Sequence, residues 1–131
     1  MVVKSFHSET LEDSWIEGSE TAHWRTASGH AAEASGSSLL EVDPGFQLPP
    51  HTDSAEEVIA VMNGEARVTV DDESRTVPAG GIAVVPADVR HRVESVGRET
   101  LRFLAIYASD EVTTAYEEPV QPDGERERQP F

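Results

Sequence analysis

His51, Asp53 and Glu57 fall within seven residues at positions of one parity, and His91 stands further along the chain. Two imidazoles and two carboxylates form a donor set suited to Fe, Mn, Zn, Ni or Cu. In extended backbone, residues i and i+2 project from the same face. His51 and Asp53 can therefore point one way, with Glu57 beside them if the strand stays regular. His91 must come from another strand, and Pro86 with the turn Ala87-Asp88 places it at the start of one. Taken singly, His51 after Pro49-Pro50 reads as a loop residue and His91 between Arg90 and Arg92 as an exposed strand residue. Their convergence is what would make a metal site.

The elements needed to position them are short strands. Ser38 to Val42 reads as a strand ending at the turn Asp43-Pro44-Gly45, and Leu48-Pro49-Pro50 as an extended approach. Glu57 to Met62 is an apolar run stopped by Asn63-Gly64, a strong hairpin signal. Ala66, Val68 and Val70 alternate with polar residues, Asp71-Asp72-Glu73 turns, and Arg75 to Val77 is short. Ile82 to Val85, His91 to Val96 and Leu101 to Ala108 complete the series. Turn signals every 6–12 residues with no helical period predict an all-β sandwich or barrel over 38–108. Residues 1–24 are mostly polar, interrupted by Trp15, Ile16 and Trp24, and 1–37 is expected to be a segment packed on the barrel or on a dimer partner. Residues 109–131, with Glu117-Glu118-Pro119 and Glu125-Arg126-Glu127-Arg128, read as a tail without a core of its own.

Composition narrows the function. The 131 residues carry 10 Lys and Arg against 25 Asp and Glu, a formal charge of −15. Nucleic acid is excluded as the main partner, because a phosphate backbone requires a basic surface. An anionic membrane is excluded on the same ground, and no apolar run reaches the length that spans a bilayer. With no Cys there are no disulfides, thiolate metal sites or Cys nucleophiles. The polar N-terminus has no secretory signal, so a cytoplasmic protein is expected. High acid with one Lys is consistent with a halophilic, high-salt origin. His7, His23 and His30 read as surface residues, and Trp15 and Trp24 as structural anchors.

Gly45-x5-His51-x-Asp53-x3-Glu57-x6-Gly64 resembles the first cupin motif, and Gly80-x5-Pro86-x-Asp88-x2-His91-x3-Ser95 resembles the second. The resemblance covers about residues 40–108 and implies a single-domain cupin, a double-stranded β-helix or jelly-roll barrel. Three residues depart from the pattern. Asp53 replaces the second His, Asp88 a Gly, and Ser95 the terminal Asn. Asp tolerates left-handed backbone, so Asp88 can keep the turn.

By resemblance the metal ligands become His51, Asp53, Glu57 and His91, holding a divalent transition metal such as Mn, Fe, Zn or Ni. Three alternatives stand open: Asp53 binds, Asp53 stays outside a two-His-one-carboxylate triad, or the site has lost its metal. The resemblance implies a metal-dependent dioxygenase, isomerase or lyase acting on a small carbonyl, enol or acid, with Asp53 or Glu57 available as general base. The alternative is a non-catalytic module that binds a small ligand, or a metal-free barrel. It also implies a homodimer. Phe46, Val58, Val84, Phe103 and Tyr107 are expected to line the interior, and Tyr107 or Arg102 to meet a polar or anionic ligand.

Overall fold

The computed structural model describes residues 3–5 and 10–131. His7 lies outside the described residues. The chain forms two antiparallel sheets. The first contains β1 (Leu11–Trp15), β2 (His23–Ala27), β3 (His30–Ala31), β4 (Gly36–Val42), β6 (Glu57–Asn63), β9 (Ile82–Val85) and β11 (Leu101–Tyr107). The second contains β5 (Gln47–Asp53), β7 (Glu65–Val70), β8 (Glu73–Pro78), β10 (His91–Ser95), β12 (Thr114–Val120) and β13 (Glu125–Arg128). Strand order is β1-β2-β4-β11-β6-β9 in the first, with β3 on β4, and β13-β12-β5-β10-β7-β8 in the second. From β4 onward the chain passes repeatedly between the sheets, a jelly-roll barrel as the resemblance implies and all-β as the strand spacing predicts. No helix among the described residues is long and apolar enough to cross a membrane.

Alternation drives the closure. In β10 and β11 every second residue is buried, so one face of each strand enters a shared core. Ile59, Val93, Leu101 and Phe103 are fully enclosed there, each worth about 1.5–3 kcal/mol of transfer free energy. The same parity corrects two expected wall residues. Val58 and Val84 sit next to inward positions and so face outward, Val84 being exposed. Phe103 and Tyr107 do point inward, and Phe46 packs partly buried against the core.

Asn63-Gly64 does not form a hairpin. It joins β6 in one sheet to β7 in the other. Gly64 has φ 77°, and a Cβ there would lie 2.8 Å from the Thr100 carbonyl oxygen and 2.9 Å from Leu101 Cα. The glycine serves a close backbone crossing, and Asn63 Nδ2 fastens it by donating to Thr100 O at 2.9 Å. The true tight hairpin is β7–β8, where Val70 pairs with Glu73 around Asp71 at φ 53°.

The terminal segments carry strands of their own. β1 to β3 extend the first sheet, with Trp24 buried. Residues 109–131, read from sequence as a tail without a core of its own, join the second sheet. β12 pairs directly with β5, and β13 with β12. The charges that made this stretch read as solvated lie on its outer face, while Val112, Thr114 and Val120 are buried.

Candidate metal centre

Three neighbouring strands write the site in rows. His91 on β10 lies opposite His51 on β5, and His51 lies opposite Tyr116 on β12. In the next row Asp53 lies opposite Thr114. Directly opposed residues of an antiparallel pair share a face, so these side chains converge inside the barrel. Glu57 arrives from the facing sheet on β6, opposite Tyr107 of β11. The turn before β10 is held by Asp88, whose φ of 62° is the left-handed geometry expected of it. Its N–H donates to the Asp53 carbonyl at 2.8 Å. Ser95 takes the place of the usual Asn through main-chain bonds alone: its N–H donates to Phe46 O, and its carbonyl accepts from Gly45 N–H.

Ligand-capable atoms of His51, Asp53, Glu57 and His91 all lie within 4.8 Å of one another. All four residues are no more than 3% exposed. His91 Nε2 is 3.1 Å from Glu57 Oε1 and 3.2 Å from Asp53 Oδ2, and His51 Nε2 is 3.7 Å from Asp53 Oδ2. Each imidazole is oriented from behind, Nδ1–H of His51 donating to Pro49 O at 2.7 Å and Nδ1–H of His91 to Val89 O at 2.9 Å. That tautomer leaves Nε2 of both rings for the centre. Thr114 Oγ1 donates to Asp53 Oδ1 at 2.6 Å, whereas the buried Asp53 Oδ2 has no hydrogen-bond partner. Two buried carboxylates crowded against two imidazole nitrogens, with Asp53 Oδ2 met by the rings of His91 and His51, fit a cation.

Electrostatics separate the two acids. Burial, reinforced by the charge of Asp53, pushes Glu57 up to about 7. Burial also works against ionisation of Asp53, but the approach of His91 and His51 and the Thr114 hydrogen bond hold it below the ordinary carboxylate range. Burial and the neighbouring His91 hold His51 down to about 4. For His91 burial is outweighed by its contacts with Asp53 and Glu57, which push it up to about 10. A proton on His91 thus occupies the position between the carboxylates that a metal ion would take.

A cavity of about 610 Å³ reaches this cluster at His51. Its walls include Trp24, Leu40, Leu48, Tyr107 and Tyr116. Trp24 stacks on Tyr116 with centroids 5.4 Å apart, and Tyr116 lies 5.1 Å from the His51 ring. Tyr107 stays protonated, because burial and the adjacent Glu57 charge raise its pKa far. Arg102, expected as a possible anion contact, turns to Glu41 on the outside at 3.5 Å. Thr114, Tyr116 and Arg128 of the cavity were not anticipated from sequence. The alternation Val112, Thr114, Tyr116 was the available signal. His23 faces Asp13 at 3.0 Å, away from the cluster.

Fold and site together define a small jelly-roll barrel with a buried two-His, two-carboxylate cluster open to one cavity. The family described as the cupin domain matches residues 38–107, just over half of the chain, and the protein belongs to that family. It is 34% identical over 71 residues to dimethylsulfoniopropionate lyase DddW of Ruegeria pomeroyi, an alignment covering 54% of this chain and 46% of the lyase. It is similar to Bacillus subtilis oxalate decarboxylase, whose Mn(II) centres have been characterised, at 30% identity and a TM-score of 0.58 over 73% of this chain and 28% of that one. The cupin domain of Schizosaccharomyces pombe Cnp3 shares the fold, with a TM-score of 0.62 at 19% identity over 66% of this chain and 64% of that one. The chain spans less than half the length of the lyase and of the decarboxylase.

Proposed function

We propose that this protein is a divalent-metal-dependent enzyme of the lyase or decarboxylase kind, acting on a small organic acid. The observation that carries the reading is the buried cluster of His51, Asp53, Glu57 and His91, whose ligand-capable atoms lie within 4.8 Å of one another. His51, Asp53, Glu57 and His91 are the proposed ligands. Likeness to a lyase and to a decarboxylase, both named for small carboxylates, supports the substrate class.

A bound divalent ion supplies Lewis acidity toward a substrate oxygen. The protein's own groups divide the remaining work. Asp53 and Glu57 would be held ionised as ligands, and a carboxylate that leaves the ion would be the group able to take a proton from the substrate. Tyr107 keeps its hydroxyl proton beside Glu57 and can donate it as a hydrogen bond. Trp24, Leu40 and Leu48 give the cavity an apolar wall beside His51.

Elemental analysis of protein purified without an affinity tag tests the metal directly. About one equivalent is expected, and less than about a tenth of an equivalent with no rebinding sinks the reading. Asp53→His should then alter metal preference, and an unchanged preference removes Asp53 from the ligand set. Consumption of oxalate, dimethylsulfoniopropionate and a panel of small keto acids tests catalysis. Ligand-induced thermal stabilisation across that panel without turnover makes the protein a binding module instead.

A further inference from the structure

Among the described residues Arg128 is the one Lys or Arg that borders the cavity, whose lining also carries Glu12, Asp13 and Asp123. Its place follows from strand register. Arg128 on β13 lies opposite Thr114 on β12, and Thr114 lies opposite Asp53 on β5. The row Asp53, Thr114, Arg128 therefore runs across three strands, which puts the Arg128 and Asp53 Cα atoms about 10 Å apart at ordinary strand spacing. Thr114 stands between them in the row, its hydroxyl on Asp53 Oδ1, and Arg128 borders the cavity beyond it.

The guanidinium is incompletely engaged. Nη1 donates to Ser14 Oγ at 3.3 Å, and Nη2 donates to Val120 O at 3.2 Å and to Asp123 Oδ1 at 2.9 Å. Nε is buried without a partner. Five N–H donors thus meet three acceptors, and the single charged acceptor is Asp123. That carboxylate sits on the exposed turn Pro122-Asp123-Gly124 and is itself 54% exposed, against 25% for Arg128. It also borders the cavity. In a chain of formal charge −15, the cavity's fixed cation is held by a carboxylate that water can readily take back.

We propose that Arg128 is the anion-recognising residue of the cavity, binding the carboxylate of a short-chain acid, and that Asp123 occupies the guanidinium until that carboxylate displaces it. The inference rests on the reading of the cavity as the site of a small acid. It makes Arg128 a specificity-determining residue and assigns Asp123 as an internal competitor. A planar guanidinium holds a carboxylate through paired charge-assisted hydrogen bonds that an ammonium cannot reproduce.

The two residues form one ion pair, yet substitutions at its ends should act in opposite directions. Calorimetric titration of the metal-loaded full chain with propionate, and with propionamide as the neutral counterpart, reads this out. Arg128→Gln should weaken propionate binding about tenfold or more. Asp123→Asn should strengthen it about threefold, the scale of an exposed ion pair. Propionamide should bind more weakly than propionate to the wild type and equally to the wild type and Arg128→Gln. If both variants weaken propionate alike, the pair is a strut and the inference is overturned. Equal binding of propionate and propionamide overturns it too, as does absence of propionate binding to the wild type and to Asp123→Asn. Metal content is measured on each sample. Loss of metal from the wild type refutes the metal reading, while opposite effects of the two variants still support Arg128.

Discussion

The barrel holds two gatherings of acids that differ in one respect. Outside the first sheet, Arg25 meets Asp43 through both Nη atoms at 2.8 Å and Glu41 at 3.2 Å, while Arg102 approaches Glu41 and Thr100 donates to Asp43. Two arginines balance two carboxylates there, in partial contact with solvent. Inside the barrel, Asp53 and Glu57 meet two histidines and no permanent cation, almost fully enclosed. The outer group is electrically complete. The inner group is completed only by protons or by a metal ion, and enclosure makes that incompleteness expensive. Acids that bring their own arginines hold strands together, whereas acids left with imidazoles in a closed space point to bound cation chemistry.

The widest separation of the two groups comes from cutting one member of each. His91→Ala is expected to reduce bound metal to below about a tenth of an equivalent, because the ring is one of only two nitrogen donors. Arg25→Ala should leave metal stoichiometry intact and lower only the urea midpoint. Elemental analysis beside denaturation curves checks both, and full metal in His91→Ala would erase the distinction between the two groups.

A finer cut tests whether the inner carboxylate depends on its support. Thr114→Val keeps the shape but withdraws the hydrogen bond to Asp53 Oδ1. Metal affinity should fall about 10- to 100-fold, the usual cost of losing an orienting partner behind a ligand. Competition against a chelating dye measures it. An unchanged affinity would mean that the strand register alone positions Asp53.

The inner group was legible in sequence through its resemblance to two motifs, each of them local. His51 and Asp53 share a strand face, and Pro86 and Asp88 fix where the strand carrying His91 begins. What supports them was not legible, because it is non-local. Thr114 and Arg128 belong to a stretch whose Glu117, Glu118, Glu125 and Glu127 read as solvent-facing, which they are. The buried partners between them are too sparse to announce a strand. Asn63-Gly64 misled for a related reason. The pair announces backbone at positive φ, as Gly64 shows, but not which sheet the chain enters next. The outer group was equally hidden, since Arg25, Glu41 and Asp43 look like ordinary surface charges until β2 and β4 pair.

The smallest expected effect concerns that outer group, and acid titration isolates it. Hydrogen bonds from Arg25, with help from Thr100 and against the cost of burial, hold Asp43 down to about 2 from an ordinary 3.8. Between those values the unfolded chain binds a proton that the native protein refuses, so native stability falls as pH falls. The contribution is present in full above about pH 4 and is lost on passing through about pH 2. Asp43 is 37% exposed, so solvent screening limits the pair to about 1 kcal/mol or less. Asp43→Asn should therefore lower the urea midpoint modestly at pH 6, and the gap from the wild type should close between pH 4 and pH 2. The substitution keeps an oxygen acceptor for Thr100 and changes little else in shape, which ties a closing gap to the charge. Curves that stay parallel down to pH 2 would assign Asp43 to packing and turn-making, and the outer group would no longer be a salt-bridged counterpart to the metal-type cluster.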